Sequence, residues 1–410
     1  MDLDIRPITT EEEEPFARAS SLAFGASFDP ERFARNRGLV DPARTLATFD
    51  PAAASLHQGI VATAHSHAFD LSVPGGDSPA AGVANVTVRP THRRRGLLTA
   101  LMRRQLDDVH ARGEPLAALW ASEAPIYRRF GYGLATRGLR WQLARAENAF
   151  GPGVDLGSLE ARLATADDAR SALADLHERT RQTTPGMVRR TDPWWERILH
   201  GSKGEGLAVL VEGMGRAEAA GLYTVASSWS PDTGSPGNTL SAHEVYASTP
   251  QAYAAVWRYL MDVDLVAKVT AFHRPLDEPL QWLLANPRAM QPALVEGLWA
   301  RLVDVGGALA ARRYTAEASI VFDVSDRFCP WNEGRWLLEA GPGGAACQRA
   351  ARATPDIRLD VADLSASYLG LTVFGALQRA GLVEEVRAGA TREADRAFAW
   401  DKAPWAVTFF

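Results

Sequence analysis

The stretch VTVRPTHRRRGLLTALMRRQL, residues 86–106, constrains the chain most. A β-rich run ends at Val88, the chain turns through Pro90, and a helix opens near Gly96. Such a strand–turn–helix aims unpaired backbone N–H groups and the positive end of a helix dipole at one spot, which suits a pyrophosphate. Gly96 lets backbone come close, and Arg93, Arg94 and Arg95, with His92, add positive charge there. Arginines decorating an exposed helix start are the plainer alternative. Cations at that end oppose the dipole, however, and a bound anion removes the conflict. The stretch is not a Walker loop, because no G-x-x-x-x-G-K-[ST] occurs.

The flanking pattern supplies a scaffold. Two alternating runs, GIVATAHSHAFDLSV and AGVANVTV, flank PGGDSPA and read as neighbouring antiparallel strands. After the turn, apolar residues at Leu97, Leu98, Leu101, Met102, Leu106 and Val109 mark a helix to about Arg112. The strand PLAALWAS, a short helix and FGYG follow, giving an α/β order with a parallel strand pair. Upstream, residues 3–8 read as a strand, and a helix with acidic first-turn residues Glu11, Glu12, Glu13 and Glu14 runs to about Phe24. His65 and His67 share a strand face; with no third ligand nearby they read as surface residues rather than a metal pair.

A chain of 410 residues exceeds one core, so two or three domains are expected. Composition shifts divide it into 1–145, 146–295 and 296–410. AENAFGPGVDLGS, rich in Gly and small residues, opens the second part. There LEARLATADDARSALADLHERT repeats the opening grammar, and SAHEVYASTPQAYAAVWRYLMDVD again runs strand into helix, now without an Arg-rich glycine turn. DPWWERIL reads as helix packing. The third part begins with a helix-like LVEGLWARLVD and continues as α+β, ending on the apolar APWAVTFF, a tail expected to dock. GPGGAA, residues 341–346, fits a hairpin turn better than a dinucleotide loop.

The R-x-x-G turn at Arg93 to Gly96, its strand and helix, LAALWAS and PIYRRFGYG resemble the coenzyme-A-binding core of GCN5-related N-acetyltransferases (GNATs). THRRRGLL, with Leu98 where that family usually has a small residue, WASEAPIYRRFGYG and a terminal Phe look like the enhanced intracellular survival (Eis) subgroup. The resemblance covers the whole chain. It implies an α/β class with two tandem GNAT-like domains, the second degenerate, followed by a sterol-carrier-protein-like α+β domain. It also implies acetyl-coenzyme A as cosubstrate, contacting Val86, Thr87, Val88, Arg94, Arg95, Gly96, Leu97, Leu98, Thr99, Ser122 and Glu123. A homohexamer is expected on the same ground.

Amine acetylation needs a proton acceptor for the amine and a donor for the departing thiolate. Tyr127 is the expected acid, working chiefly by hydrogen bonding, with a packed core tyrosine as the alternative. For the base, the resemblance points to the terminal carboxylate of Phe410; an apolar tail covering a groove is the alternative. The expected acceptor is a primary amine of a polyamine-like or aminoglycoside-like small molecule or a lysine side chain, drawn by acids such as Asp29, Glu31 and Glu123. A non-catalytic acyl-coenzyme-A or lipid-binding module with a regulatory site is the competing reading; Tyr127 within a complete motif favours catalysis. The net charge of -5 gives no global attraction for nucleic acid. No metal motif such as H-E-x-x-H and no G-x-S-x-G occurs. No apolar run spans a bilayer, and the acidic start lacks a signal peptide's features, so a cytoplasmic protein is expected, with secretion by another route left open.

Overall fold

A computed structural model describes residues 4–201, 206–213, 215–232 and 234–410. The chain forms two compact units. One comprises Met1–Thr136, Leu298–Asp401 and Thr408–Phe410; the other comprises Arg137–Gly297 and Lys402–Val407.

In the first unit a seven-stranded sheet runs Asp4–Pro7, Thr45–Phe49, Ile60–Val73, Gly76–Val88, Leu116–Trp120, Leu298–Leu302, Gly133–Leu134. Of the strand expected over residues 3–8, Asp4–Pro7 forms and Leu3 lies outside the described residues. The two long central strands make a hairpin whose turn uses Gly75 at φ +77°. Gly76–Val88 and Leu116–Trp120 pair in parallel, as the sequence order requires, and helix Leu97–Ala111 makes the crossover. Its buried residues Leu97, Leu101, Met102, Gln105, Leu106 and Val109 form one stripe at helical spacing. Met102, Leu106 and Val109 pack on Ala81, Val83, Ala117 and Leu119 of the sheet.

The helix expected at LVEGLWARLVD is instead two strands, Ala293–Glu296 and Leu298–Leu302, separated at Gly297. Long-range pairing overrides local propensity here. Leu298–Leu302 covers the otherwise open edge of Leu116–Trp120, in register Leu298 to Trp120 and Leu302 to Leu116. Arg301 and Asp326, both buried, are joined at 2.5 Å behind this strand. The same unit carries a five-stranded sheet ordered Gly344–Arg349, Gly334–Gly341, Ala318–Ser325, Ile357–Asp360, Val383–Glu385. GPGGAA sits at the antiparallel hairpin between the first two of these.

The second unit repeats the plan. Its sheet runs Ala293–Glu296, Arg137–Ala144, Val266–Arg274, Asn238–Ala247, Arg216–Ala226, Leu207–Gly213, Glu160–Thr165. Asn238–Ala247 and Val266–Arg274 are parallel, with helix Pro250–Asp262 between them in sequence. Arg137–Ala144, inside the 1–145 stretch read from composition, pairs in this sheet with Val266–Arg274 and Ala293–Glu296. Trp194 and Trp195, on helix Asp192–His200, are buried as packing residues.

Candidate active site

The parallel pair of the first unit is joined only from Ala80 with Leu116 to Val83 with Leu119. Beyond Val83 the two strands part. The cause lies on the other side of Gly76–Val88, where the register with Ile60–Val73 shifts between Thr63 and His65 and Asn85 takes φ +52°. Such a bulge bends and twists its strand. The Thr63 hydroxyl pins it, donating to the Asn85 carbonyl at 2.7 Å and lying 2.6 Å from the Thr87 hydroxyl. Val86, Thr87 and Val88 therefore present a backbone edge to the split, a form that accepts another extended chain.

That edge leads into the turn. Arg94 and Gly96 have φ +63° and +81°, and Gly96 caps the helix with no side-chain acceptor for its first-turn amides. Nothing lies within 4 Å of where a Gly96 Cβ would stand. Arg93, Arg94, Arg95 and Thr99 are exposed there, Leu97 is buried and Leu98 half-buried. The turn thus offers open N–H groups, a 15-residue helix dipole and cations at one exposed point. His92, counted with the cations from sequence, is instead turned inward, its Nε2 3.0 Å from Asp50 Oδ2. Nor does Arg89 serve the turn, since it donates to the Leu56 and Ile60 carbonyls. In the second unit the matching helix has Pro250 in its first turn and Thr249 Oγ1 accepting from Ala252 N at 3.2 Å. A missing N–H and a filled cap leave that turn without the same anion cradle.

Ser122 and Glu123 are exposed just past Trp120. Tyr127 follows on a short helical turn and is 6% exposed, packed in the cluster that holds Ala81, Val83, Met102 and Leu106. Burial first, and then Glu123, pushes its phenol above the ordinary value of 10. The Tyr132 ring stands edge-on at 6.0 Å.

The chain end occupies the opposite face of the same strand. Trp120 Nε1 donates to the Thr408 carbonyl at 3.0 Å, and the Phe409 ring lies 5.2 Å from the Trp120 ring. The Phe410 ring is 5.0 Å from that of Phe69 and 6.1 Å from that of His67. Gly82 makes room: a Cβ there would come within 3.2 Å of the Phe410 ring and 2.2 Å of Phe69. Alternation places Gly82 on the face away from Ala81 and Val83, so Tyr127 and Phe410 flank the strand from opposite sides just where it parts from its neighbour. Of the acids named from sequence, Asp29 accepts from Arg32 N at 3.0 Å as a helix cap, and Glu31 lies 3.8 Å from Arg35. Asp29 thus serves as a helix cap, while the Glu31 carboxylate stands largely in solvent. Sequence reasoning missed Phe69, Gly82, Trp120 and Thr408 as parts of the site. The small-residue run AAGVAN was the available signal, since a long strand with a bare Gly invites close approach.

His65 and His67 share a face as expected, but both are buried. His65 Nδ1 lies 2.6 Å from Thr45 Oγ1, and its Nε2 lies 3.2 Å from His67 Nδ1. Among the described residues no group of three or more His, Cys, Asp or Glu could hold a metal ion. Burial, then Arg44, opposed in part by Asp41, lowers His65 to about 4. An unfolded imidazole binds its proton near 6.5 and the folded one near 4, so stability is lost as pH falls through that window, by about 3 kcal/mol. Thermal melts of wild type and His65→Asn between pH 7.5 and 4 check this. The variant is expected to melt lower at pH 7.5 yet to lose less on acidification; equal slopes would refute it.

The strand split, the open glycine turn and the crossover helix define a GNAT acyl-transfer fold, and comparison with known proteins agrees. Residues 4–135 and 186–302 each match an acetyltransferase (GNAT) domain, and residues 305–407 match a sterol carrier protein domain. A Streptomyces coelicolor protein named an uncharacterized N-acetyltransferase is 38% identical over 414 residues, covering 99% of each chain. N-acetyltransferase Eis of Mycobacterium tuberculosis is 34% identical over 345 residues, 81% of each. The crystal structure of Eis1 from Mycobacterium abscessus superposes with a TM-score of 0.82 at 34% identity, covering both chains fully. The chain belongs to the Eis family of GNAT N-acetyltransferases and is an N-acetyltransferase.

Proposed function

We propose that the chain passes the acetyl group of acetyl-coenzyme A directly to a primary amine of a polyamine-like or aminoglycoside-like small molecule, or to a lysine side chain. The observation that carries this reading is the split beyond Val83 and Leu119, approached by Tyr127 from one face of the strand and Phe410 from the other. In it, Val86, Thr87 and Val88 pair with the amide-bearing arm of the donor. Arg94, Arg95, Gly96, Leu97, Leu98 and Thr99 receive its pyrophosphate, and Ser122 and Glu123 border the reacting end. Tyr127 acts as the acid toward the departing thiolate, and the terminal carboxylate of Phe410 acts as base and holds the ammonium charge. Neighbouring cationic centres lower each amine's pKa, which suits a carboxylate base. The reading also has the chain acting in the cytoplasm as a homo-oligomer, a hexamer by family likeness; a sedimenting monomer would overturn that part.

An acetyl-transfer assay over polyamines, aminoglycosides and lysine peptides tests it. Turnover of at least one polycationic amine is expected, with little on neutral alcohols. Donor hydrolysis with no amine acetylated would contradict the acceptor class.

A further inference from the structure

Tyr127 stands on little structure of its own. It joins two helical turns of three residues each, Ala124–Ile126 and Arg128–Phe130. They are closed by Ile126 N to Glu123 O at 3.1 Å, Phe130 N to Tyr127 O at 2.9 Å and Gly131 N to Arg128 O at 2.9 Å. Turns this short are marginal unless something packs against them.

The hold comes from residues far along the chain, all within one compact unit. Arg128, the residue after Tyr127, donates from Nη1 to Asp363 Oδ1 at 2.9 Å and from Nη2 to Asp363 Oδ2 at 2.8 Å. The Phe130 ring meets the Phe328 ring edge-on at 4.9 Å, and the Arg103 guanidinium of the crossover helix lies 4.0 Å from the centroid of Phe328. Gly131 lies against Arg301, so that a Cβ there would collide with its Nη1. Asp363 and Phe328 both fall within residues 305–407, the part that matches a sterol carrier protein domain.

The ion pair fixes orientation as well as distance, because both arms of the guanidinium fork are used. Asp363 is buried and Arg128 half-exposed. The anchor itself is firm. Helix Val361–Ser367 is buried along its whole length, and Leu302 N donates to Ser365 Oγ at 3.1 Å. Its backbone lies so close to strand Gly133–Leu134 that a Cβ on Gly133 would collide with the Ala362 carbonyl. An exposed arginine ordinarily gains little from an acid, but a buried carboxylate needs its partner.

We propose that Asp363 is a positioning residue for acetyl transfer: through its two-point pair with Arg128 it sets the turn from which Tyr127 meets the departing thiolate. This rests on the reading of Tyr127 as the acid. Asp363 acts through Arg128 and the backbone, and a misplacement of the phenol by about 1 Å forfeits much of what it contributes. The region that matches a sterol carrier protein thereby has a task in the chemistry besides delivering the chain end.

The test is a double-mutant cycle on the full chain, with Asp363→Asn, Arg128→Gln and Arg128→Lys each made in wild type and in Tyr127→Phe. The acceptor is the polycationic amine that wild type acetylates fastest, and kcat and the KM for acetyl-coenzyme A are measured at a temperature below every variant's melting point. Asp363→Asn and Arg128→Gln are expected to lower kcat about tenfold with that KM unchanged, and Arg128→Lys, which keeps the charge without the fork, to lose less. Tyr127→Phe has no hydroxyl left to misplace, so there the same changes are expected to cost less than about twofold. An equal loss in both backgrounds, a loss that falls on KM, or an unchanged kcat would overturn the proposal. If Asp363→Asn fails to fold, the two variants of the half-exposed Arg128 supply the same comparison. A Tyr127→Phe chain with wild-type kcat would instead overturn the parent reading, and this one with it.

Discussion

Tyr127→Phe is expected to lower kcat by about 10²- to 10³-fold while coenzyme A binds as tightly as before. The ring packs against Ala81, Val83 and Met102, and Phe keeps that contact, so the variant removes a single hydroxyl. That hydroxyl belongs to the cluster that packs on the parallel pair from the helix face. Its pKa lies above 10, raised first by burial and then by Glu123, so it remains protonated through neutral and mildly alkaline pH. A wild-type rate that declines with a tyrosine-like pKa below 10 would therefore contradict the assignment. Steady-state kinetics with a thiol-trapping readout measures both points. Unchanged kcat in Tyr127→Phe would leave this ring a packing residue only.

The second large effect is expected at the chain end. Extending the chain past Phe410 by a few residues converts its carboxylate into an amide, which can neither take a proton nor hold an ammonium. The ring is held over Gly82 and Phe69, and Trp120 fixes the Thr408 carbonyl, so the end is placed rather than mobile. Acceptor kcat/KM is expected to fall by about 10²-fold or more, with donor affinity unchanged and activity regained when the extension is removed back to Phe410. An extended chain with wild-type kcat/KM would remove the carboxylate from the reaction. Gly82→Ala offers a gentler version: its Cβ collides with Phe69 and crowds Phe410 without touching the carboxylate, so an intermediate loss is expected.

How much of this was legible in the sequence differed by region, for physical reasons. The glycine turn was legible because its chemistry is local: Pro, Arg and Gly within a few residues specify strand end, charge and helix start. The parallel pair followed from the order of elements, and the loss of the turn in the second copy from the missing arginines and glycine. The apolar residues of Leu298–Leu302 fit a helical or a strand period, and only the edge of Leu116–Trp120, far away in sequence, decides for a strand. The same distance hid Arg137–Ala144, whose partners Val266–Arg274 and Ala293–Glu296 come more than a hundred residues later. The inward turn of His92 is not legible in the sequence because its partner Asp50 is brought close only by the fold. The split itself depends on a bulge at Asn85, and positive φ at a non-glycine residue leaves almost no mark on a sequence.

In the proposed function the donor lies on the turn before helix Leu97–Ala111. Calorimetric titration of coenzyme A into wild type, Tyr127→Phe and Gly96→Val tests it most directly. A valine at φ +81° is strained, and its side chain would fill the open space in front of the turn, where no protein atom lies within 4 Å of its Cβ. Wild type and Tyr127→Phe are expected to bind alike, and Gly96→Val at least tenfold more weakly. Equal affinity in all three would place the donor somewhere other than this turn.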